Sequence, residues 1–265
     1  MKLAVIGKDV SKSVSPQIHL FISKRFGKQV EYDKISIPEA EFESRIDGLF
    51  KAYDGLNVTI PYKLSVIPHL KKTVGDAAVF GAVNTVKCSD LSGDNTDGAG
   101  FMLMLANNGI EVSGKKFLLI GAGGAGRSVA KKLVDGGAKV DVYDKNYQNA
   151  LAVANEFKGV TAIENLELTP YYAAINASGV GMHKTEGISP VGAELLENCE
   201  AAIDLIYTPP KSEFLRIAES LNKRTVNGLA MLFYQAYYSE CIWFGLKPSG
   251  AQAKEFFEEF SKEQI

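Results

Sequence analysis

The chain has 265 residues, enough for one large domain or two modest ones. Hydrophobic residues make up 46% and charged residues 23%, which excludes a disordered or collagen-like chain. Lys and Arg number 29 against 31 Asp and Glu, a net charge of −2 that excludes a general polyanion binder, so no nucleic-acid partner is expected.

Cys88, Cys199 and Cys241 are far apart and form no CxxC pair, so neither a disulfide framework nor a zinc site is expected. His19, His69 and His183 are equally scattered, without HxxxH or HExxH spacing, and no metal is predicted. No apolar run approaches the ~18 residues of a membrane span, and Met1 to Gly7 lacks the long apolar region of a signal peptide. A cytoplasmic protein without membrane partners follows as the expectation.

In chain order, residues 2–6 (KLAVI) read as a strand, followed by a Ser/Pro-rich loop and a helix opened by Pro16, whose missing N–H costs nothing at a first helical position. Val30 to Ile37 reads as a strand, Pro38 to Phe50 as a helix, Leu56 to Thr59 as a strand, and Pro61 as the opening of another helix. Val83 to Lys87 and Leu91 to Gly93 form a candidate hairpin at the sheet edge. A second series starts at Lys116, with strands at 117–120, 140–143, 173–176, 201–206 and 225–227 and helices at 150–157, 191–197 and 211–221. Residues 231–244 form an aromatic-rich helix and 251–263 a charged one. Phe233, Tyr234, Tyr237, Tyr238 and Trp243 recur at helical spacing and read as packing residues. Alternating strands and helices predict an α/β fold of two units with a cleft between them.

After the strand FLLI comes Gly121-Ala122-Gly123-Gly124-Ala125-Gly126, a GxGxxG that opens a helix. The first glycine makes the tight turn, the second lets backbone approach a pyrophosphate, and the third permits close helix–strand packing. The helix N-terminus favours the anion. The next strand ends at Asp144, 144 − 121 = 23 positions after the first glycine, where a carboxylate meets the ribose hydroxyls of NAD. A 2′-phosphate there meets like charge, about 4 kcal/mol at ~4 Å and an effective dielectric of ~20, so NAD is favoured over NADP, with Lys145 a partial counterweight.

Polar clusters in the first hundred residues fall where strands give way to helices: Ser13-Val14-Ser15-Pro16, Asn57-Val58-Thr59-Ile60-Pro61-Tyr62-Lys63, Gly81-Ala82-Val83-Asn84-Thr85 and Gly93-Asp94-Asn95-Thr96-Asp97-Gly98. A Lys and an Asp on neighbouring strand ends suit proton exchange, the carboxylate orienting the amine.

Together these segments resemble the shikimate dehydrogenase family, whose SxSP, NVTxPxK, GAVNT and GDNTDG motifs stand here in order. GAGGAG follows, then residues 176–182 (NASGVGM), Asp204 to Pro209, and Gly228 to Leu232 with Gln235 after them. The resemblance implies reversible nicotinamide-dependent reduction of 3-dehydroshikimate to shikimate, on the route to chorismate and the aromatic amino acids. It casts Lys63 and Asp97 as the catalytic pair, Ser13 and Ser15 as holding the substrate carboxylate, and Thr59, Asn84, Asp97 and Gln235 as engaging the ring hydroxyls. Tyr207 also faces the substrate on this basis. Gly121 to Gly126 (with Ala122, Gly123, Gly124 and Ala125), Asp144, Lys145, Ser178, Leu205, Gly228 and Met231 are the implied cofactor residues. The implied domains are a substrate-binding one at 1–100, completed by helices within 229–265, and a Rossmann-type dinucleotide-binding one at 101–228.

The chain departs from the family pattern twice. Asp9 and Lys12 stand in the first loop where Pro and His are usual, and Asp144-Lys145-Asn146 replaces the Asn-Arg-Thr of NADP-using members. Loss of the Arg fork removes a 2′-phosphate ligand. An NAD-dependent quinate/shikimate dehydrogenase is the nearest alternative, and a catalytically silent NAD-binding regulatory protein the alternative from another class. The expected partner is a small-molecule substrate, and the expected state a monomer or homodimer.

Overall fold

A computed structural model describes residues 1–263, apart from the His183 side chain, so the expectation that His183 is an exposed loop histidine lies outside the described residues. The chain divides into two compact units, one of residues 1–100 and 233–265 and one of residues 101–232.

In the first unit, β1 (Lys2–Gly7), β2 (Glu31–Ser36), β3 (Gly55–Val58), β4 (Lys72–Thr73), β5 (Thr85–Lys87) and β6 (Ser92–Asp94) form one sheet in the order β2-β1-β3-β5-β6-β4. β1 runs parallel to β2 and β3, whereas β5 is antiparallel to both β3 and β6. Helices α1 (Ser15–Arg25) and α2 (Phe42–Ala52) cross between parallel strands, and α1 carries Pro in its first turn. One core cluster joins Ile6, Leu56, Val58 and Val86 of the sheet to Phe42, Ile46 and Phe50 of α2. The short α3 (Ala77–Phe80) ends on Gly81 at φ +63°, a left-handed position that suits glycine.

The predicted helix at Pro61 does not form. Residues 60–66 are turns and a 3₁₀ turn follows at Ile67–His69. Pro68 has no N–H and its ring would collide with the carbonyl of Leu64 in an α-helix, while the Lys63 carbonyl is taken by the Val83 amide. The predicted hairpin is present as β5 and β6, but it is not the sheet edge, because β4 pairs with β6.

The second unit holds β7 (Lys116–Ile120), β8 (Lys139–Tyr143), β9 (Val160–Ile163), β10 (Tyr171–Asn176), β11 (Cys199–Asp204) and β12 (Arg224–Val226). All pairs are parallel, in the order β12-β11-β10-β7-β8-β9. Renumbered from β7, this is the doubly wound order 3-2-1-4-5-6 read from the other edge, with its switch point between β7 and β10. Helices α5 (Gly124–Asp135), α6 (Tyr147–Glu156), α7 (Ala193–Glu197) and α8 (Glu213–Ser220) connect the strands. Asn146 caps α6 through the Gln148 amide and Ser212 caps α8 through the Leu215 amide.

The boundaries between units fall inside two helices, α4 (Asp97–Asn107) and α9 (Leu229–Phe244). In the first unit the aromatic stripe of α9 is a packing face. Phe233 meets Phe21 of α1 and Phe257 and Phe260 of the last helix, α10 (Gly250–Glu263), while Trp243 donates to the Val86 carbonyl. Among the described residues no helix is long and apolar enough to cross a membrane, and no His, Cys, Asp or Glu group is arranged to hold a metal. Burial pushes the Cys88 thiol up to about 12 and those of Cys199 and Cys241 to about 11, so none is a thiolate nucleophile at neutral pH.

Candidate active site

Strand direction in the first unit gathers the polar clusters. β1 and β3 end at the edge where antiparallel β5 begins and β6 ends, so the loops after Gly7 and Val58, residue Asn84 and the segment Asp94 to Asp97 share one end of the sheet. Gly7 is required there, since a Cβ would lie 2.6 Å from Thr59 Cγ2.

Lys63 Nζ donates to Asp97 Oδ2 at 2.5 Å, with Asp97 14% and Lys63 24% exposed at the side chain, so the pair is shielded yet open to a small molecule. Asp97 Oδ1 accepts from Asn84 Nδ2 at 2.8 Å, and the same amide nitrogen lies 3.4 Å from Gln235 Oε1 on α9. Four of the predicted residues, Lys63, Asp97, Asn84 and Gln235, therefore form one connected group. Ser13 Oγ donates to Ser15 Oγ at 3.0 Å and accepts from the Ser15 amide, which shapes the start of α1. Thr59 is half-buried, with its amide bonded to the Ile6 carbonyl and its carbonyl accepting from the Tyr62 amide.

Several residues around this group carried no functional signal of their own. Asn57, part of the NVTxPxK segment, is buried and accepts from the Tyr32 phenol at 2.6 Å. Burial, followed by the charge of Glu240, pushes Tyr32 well above its ordinary range, and a Ser15 hydrogen bond opposes this. Glu240 is itself fully buried, held by His19 Nδ1 at 2.8 Å and Ser23 Oγ at 2.7 Å.

In the second unit the residues named for a dinucleotide stand at the carboxyl ends of parallel strands. Gly121, at φ +105°, closes β7, and a Cβ there would lie 2.7 Å from the backbone of Ala177 and Ser178 across the switch point. Gly126 packs so closely on the Gly121 carbonyl that a Cβ would collide with it, and Gly228 stands likewise against the Leu205 carbonyl. Gly123 and Gly124 face open space and no side chain caps α5, so these positions fit a pyrophosphate approaching the backbone.

Asp144 Oδ2 accepts from the Ala122 amide at 2.8 Å, and its Oδ1 from the Asn146 amide at 2.9 Å and Asn149 Nδ2 at 3.2 Å. Burial acts to raise its pKa, but these hydrogen bonds and the neighbouring Lys145 outweigh it and hold the carboxyl below the usual range. It is an anion at neutral pH, while Lys145 is exposed.

Ser178 spends its hydroxyl locally, donating to Asn176 Oδ1 at 2.7 Å and accepting from the Val180 amide. Leu205 and Tyr207 are half-buried after β11, where burial pushes the Tyr207 phenol up, and Met231 is buried. Asp204 is fully buried and accepts from Asn176 Nδ2, the Ile206 amide and Ser212 Oγ, so it braces the loops after β10 and β11.

Comparison with known proteins agrees with this architecture. A family profile described as shikimate dehydrogenase substrate binding domain matches residues 5–86, and one described as shikimate / quinate 5-dehydrogenase matches residues 104–200. The chain is 37% identical over 257 residues to a shikimate dehydrogenase (NADP(+)) of Carboxydothermus hydrogenoformans, covering 92% of this chain and 91% of that one. The structure of Thermus thermophilus shikimate 5-dehydrogenase with NADP(H) and shikimate superposes with a TM-score of 0.88 at 35% identity, covering 98% of this chain and 99% of that one. That of Listeria monocytogenes shikimate 5-dehydrogenase with shikimate and NAD gives 0.83 at 28%, covering 97% and 96%. With two profiles spanning most of its length and relatives above 30% identity along nearly all of it, the chain belongs to the shikimate dehydrogenase family.

Proposed function

We propose that this protein is a shikimate dehydrogenase that interconverts 3-dehydroshikimate and shikimate, with NAD as its preferred cofactor. The observation that carries the chemistry is the shielded Lys63–Asp97 pair, joined through Asn84 to Gln235.

A bound nicotinamide supplies the hydride that forms the new C–H bond in the direction of reduction. As negative charge builds on the carbonyl oxygen, the Lys63 ammonium stabilises it and donates the proton that completes the hydroxyl. Asp97 Oδ2 fixes the Lys63 amine and Asn84 fixes Asp97, so the proton donor is oriented before substrate arrives. Ser13 and Ser15 supply neutral hydroxyls to the substrate carboxylate, and Thr59, Asn84, Asp97 and Gln235 pair the ring hydroxyls. A site that pairs each hydroxyl rejects analogues lacking one, because its own polar groups are then left buried and unpaired.

The NAD preference departs from the NADP(+) named for the curated relatives, and rests on Asp144. An anionic carboxylate accepts from a ribose 2′-hydroxyl and repels a 2′-phosphate, and the segment Asp144 to Asn149 contains no Arg to offset it. Initial rates of shikimate and quinate oxidation with NAD and with NADP test both parts. The expected ranking puts shikimate with NAD first. No oxidation of shikimate with either cofactor would remove the function, a higher kcat/KM for quinate would favour the quinate/shikimate alternative, and a strong NADP preference would remove the cofactor assignment alone.

A further inference from the structure

Behind the Lys63–Asp97 pair lies a buried cluster of hydroxyls and amides of which the proposed chemistry uses only Asn84 directly. Thr85 and Ser239 are both fully buried, and Thr96, Asn84 and Asn57 nearly so. A buried polar group without a partner is costly, so each proton in such a cluster has an assignable destination.

The Thr96 amide can only donate, and it points at Asn84 Oδ1 from 2.9 Å, so that atom is the amide oxygen. The opposite end of Asn84 is therefore its NH₂, which faces Asp97 Oδ1 at 2.8 Å and Thr96 Oγ1 at 2.9 Å. Thr85 Oγ1 lies 2.8 Å from the same Asn84 oxygen, which has no proton, so the Thr85 proton is used there. Ser239 Oγ approaches Thr85 Oγ1 to 2.7 Å, and that bond must then use the Ser239 proton. Asn57 Nδ2 donates into the same pair of oxygens, at 3.4 Å to Thr85 and 3.3 Å to Ser239, with its own orientation set by the Tyr32 phenol on Oδ1. The Gln235 carbonyl, 3.0 Å from Ser239 Oγ, is the acceptor a helical serine would ordinarily use, and the Thr85 contact is shorter.

We propose that Ser239 and Thr85 are positioning residues for the dehydrogenase site: a one-way run of hydrogen bonds, Ser239 to Thr85 to Asn84 to Asp97, aims the Asn84 amide and with it the carboxylate that holds Lys63. Aligned donors in a low-dielectric interior polarise one another, so the run strengthens the last bond to Asp97 beyond what Asn84 alone supplies. It also ties α9 to the sheet end at Ser239, four residues after Gln235.

The inference rests on the dehydrogenase reading, which wild-type turnover of shikimate tests separately. Thr85→Val removes the hydroxyl and keeps the shape, and Ser239→Ala removes the first donor; each lowers kcat/KM for shikimate about 10-fold, because the Asn84 amide then loses the bond that aims it. Thr85→Ser keeps the hydroxyl and stays within about 2-fold of wild type. In an Asn84→Ala background, where the run is already broken, Thr85→Val costs less than about 2-fold, because coupled sites are non-additive. Equal losses in Thr85→Val and Thr85→Ser would overturn the inference, as would the same Thr85→Val factor in both backgrounds. Should Asn84→Ala not fold, the Val and Ser comparison decides alone. A wild-type protein without shikimate turnover would remove the dehydrogenase reading and this inference with it.

Discussion

The Ala122 amide donates to Asp144 Oδ2 at 2.8 Å, binding the glycine-rich turn after β7 to the residue that follows β8. The carboxylate is thus held in place by the loop it serves, and it keeps its charge.

Asp144→Asn removes that charge while an amide oxygen still accepts from Ala122. The ratio of kcat/KM for NADP to that for NAD should rise at least about 10-fold, since even a screened fraction of the ~4 kcal/mol repulsion exceeds the 1.4 kcal/mol of one decade. Rates at matched cofactor concentrations check this, and an unchanged ratio would mean that Asp144 does not face the 2′ position.

Lys63→Ala should lower kcat by at least ~10²-fold, the lower end for a positioned acid–base group. The melting temperature should change little, because the Lys63 side chain is a quarter exposed and its loss leaves Asp97 still bonded to Asn84. Near-normal turnover would take Lys63 out of the chemistry.

Gly121→Ala should destabilise the protein by about 3 kcal/mol, combining a left-handed backbone with a collision against a neighbouring loop. Its φ is +105° and its Cβ would stand 2.7 Å from the Ala177 and Ser178 backbone. Gly123→Ala, with open space at the same loop, should change stability by less than about 1 kcal/mol. Denaturant midpoints for the two variants provide the comparison, and equal midpoints would contradict the packing.

Asp204 gives a pH dependence with a definite sign. Burial raises its pKa above the ordinary 3.8 against the pull of bonds from Ser212, Ile206 and Asn176. A carboxyl raised on folding contributes stability that is complete below the unfolded value and is lost as pH climbs through the folded one. Relative to Asp204→Asn, wild type should therefore be more favoured at pH ~3.5 than at pH ~7. A stability difference between the two proteins that is flat across this window would remove the assignment.

Much of the fold was legible because buried parallel strands announce themselves. FLLI, VDVY, AAIN and AAIDLI are short apolar runs bounded by turns; β7, β8 and β10 contain the first three, and β11 contains the first four residues of the last, ending at Asp204 before Leu205 and Ile206. What escaped was short or local. β4 has two residues, α3 four, and β9 (Val160–Ile163) has only its first residue buried, so none builds a readable period. No helix is expected over α4, because Asp97-Gly98-Ala99-Gly100 opens it with two glycines. Pro61 misled in the other direction, because Pro68 and the diverted Lys63 carbonyl set the local structure. In the site, Lys63, Asn84, Asp97 and Gln235 could be named from motifs. Ser239 could not, since a serine on an apolar helix face gives no sign of the three side chains it meets across the sheet end.

The first unit is made from two stretches of chain that are far apart in sequence, and the second stretch supplies Gln235 and Ser239 to the polar sheet end from α9. During synthesis the sheet, Lys63 and Asp97 emerge first, and the whole of the second unit follows before α9 does. The polar sheet end therefore waits, without its buried partners, until the dinucleotide-type unit has been made. Order of synthesis thus completes the site only after the whole second unit has been made.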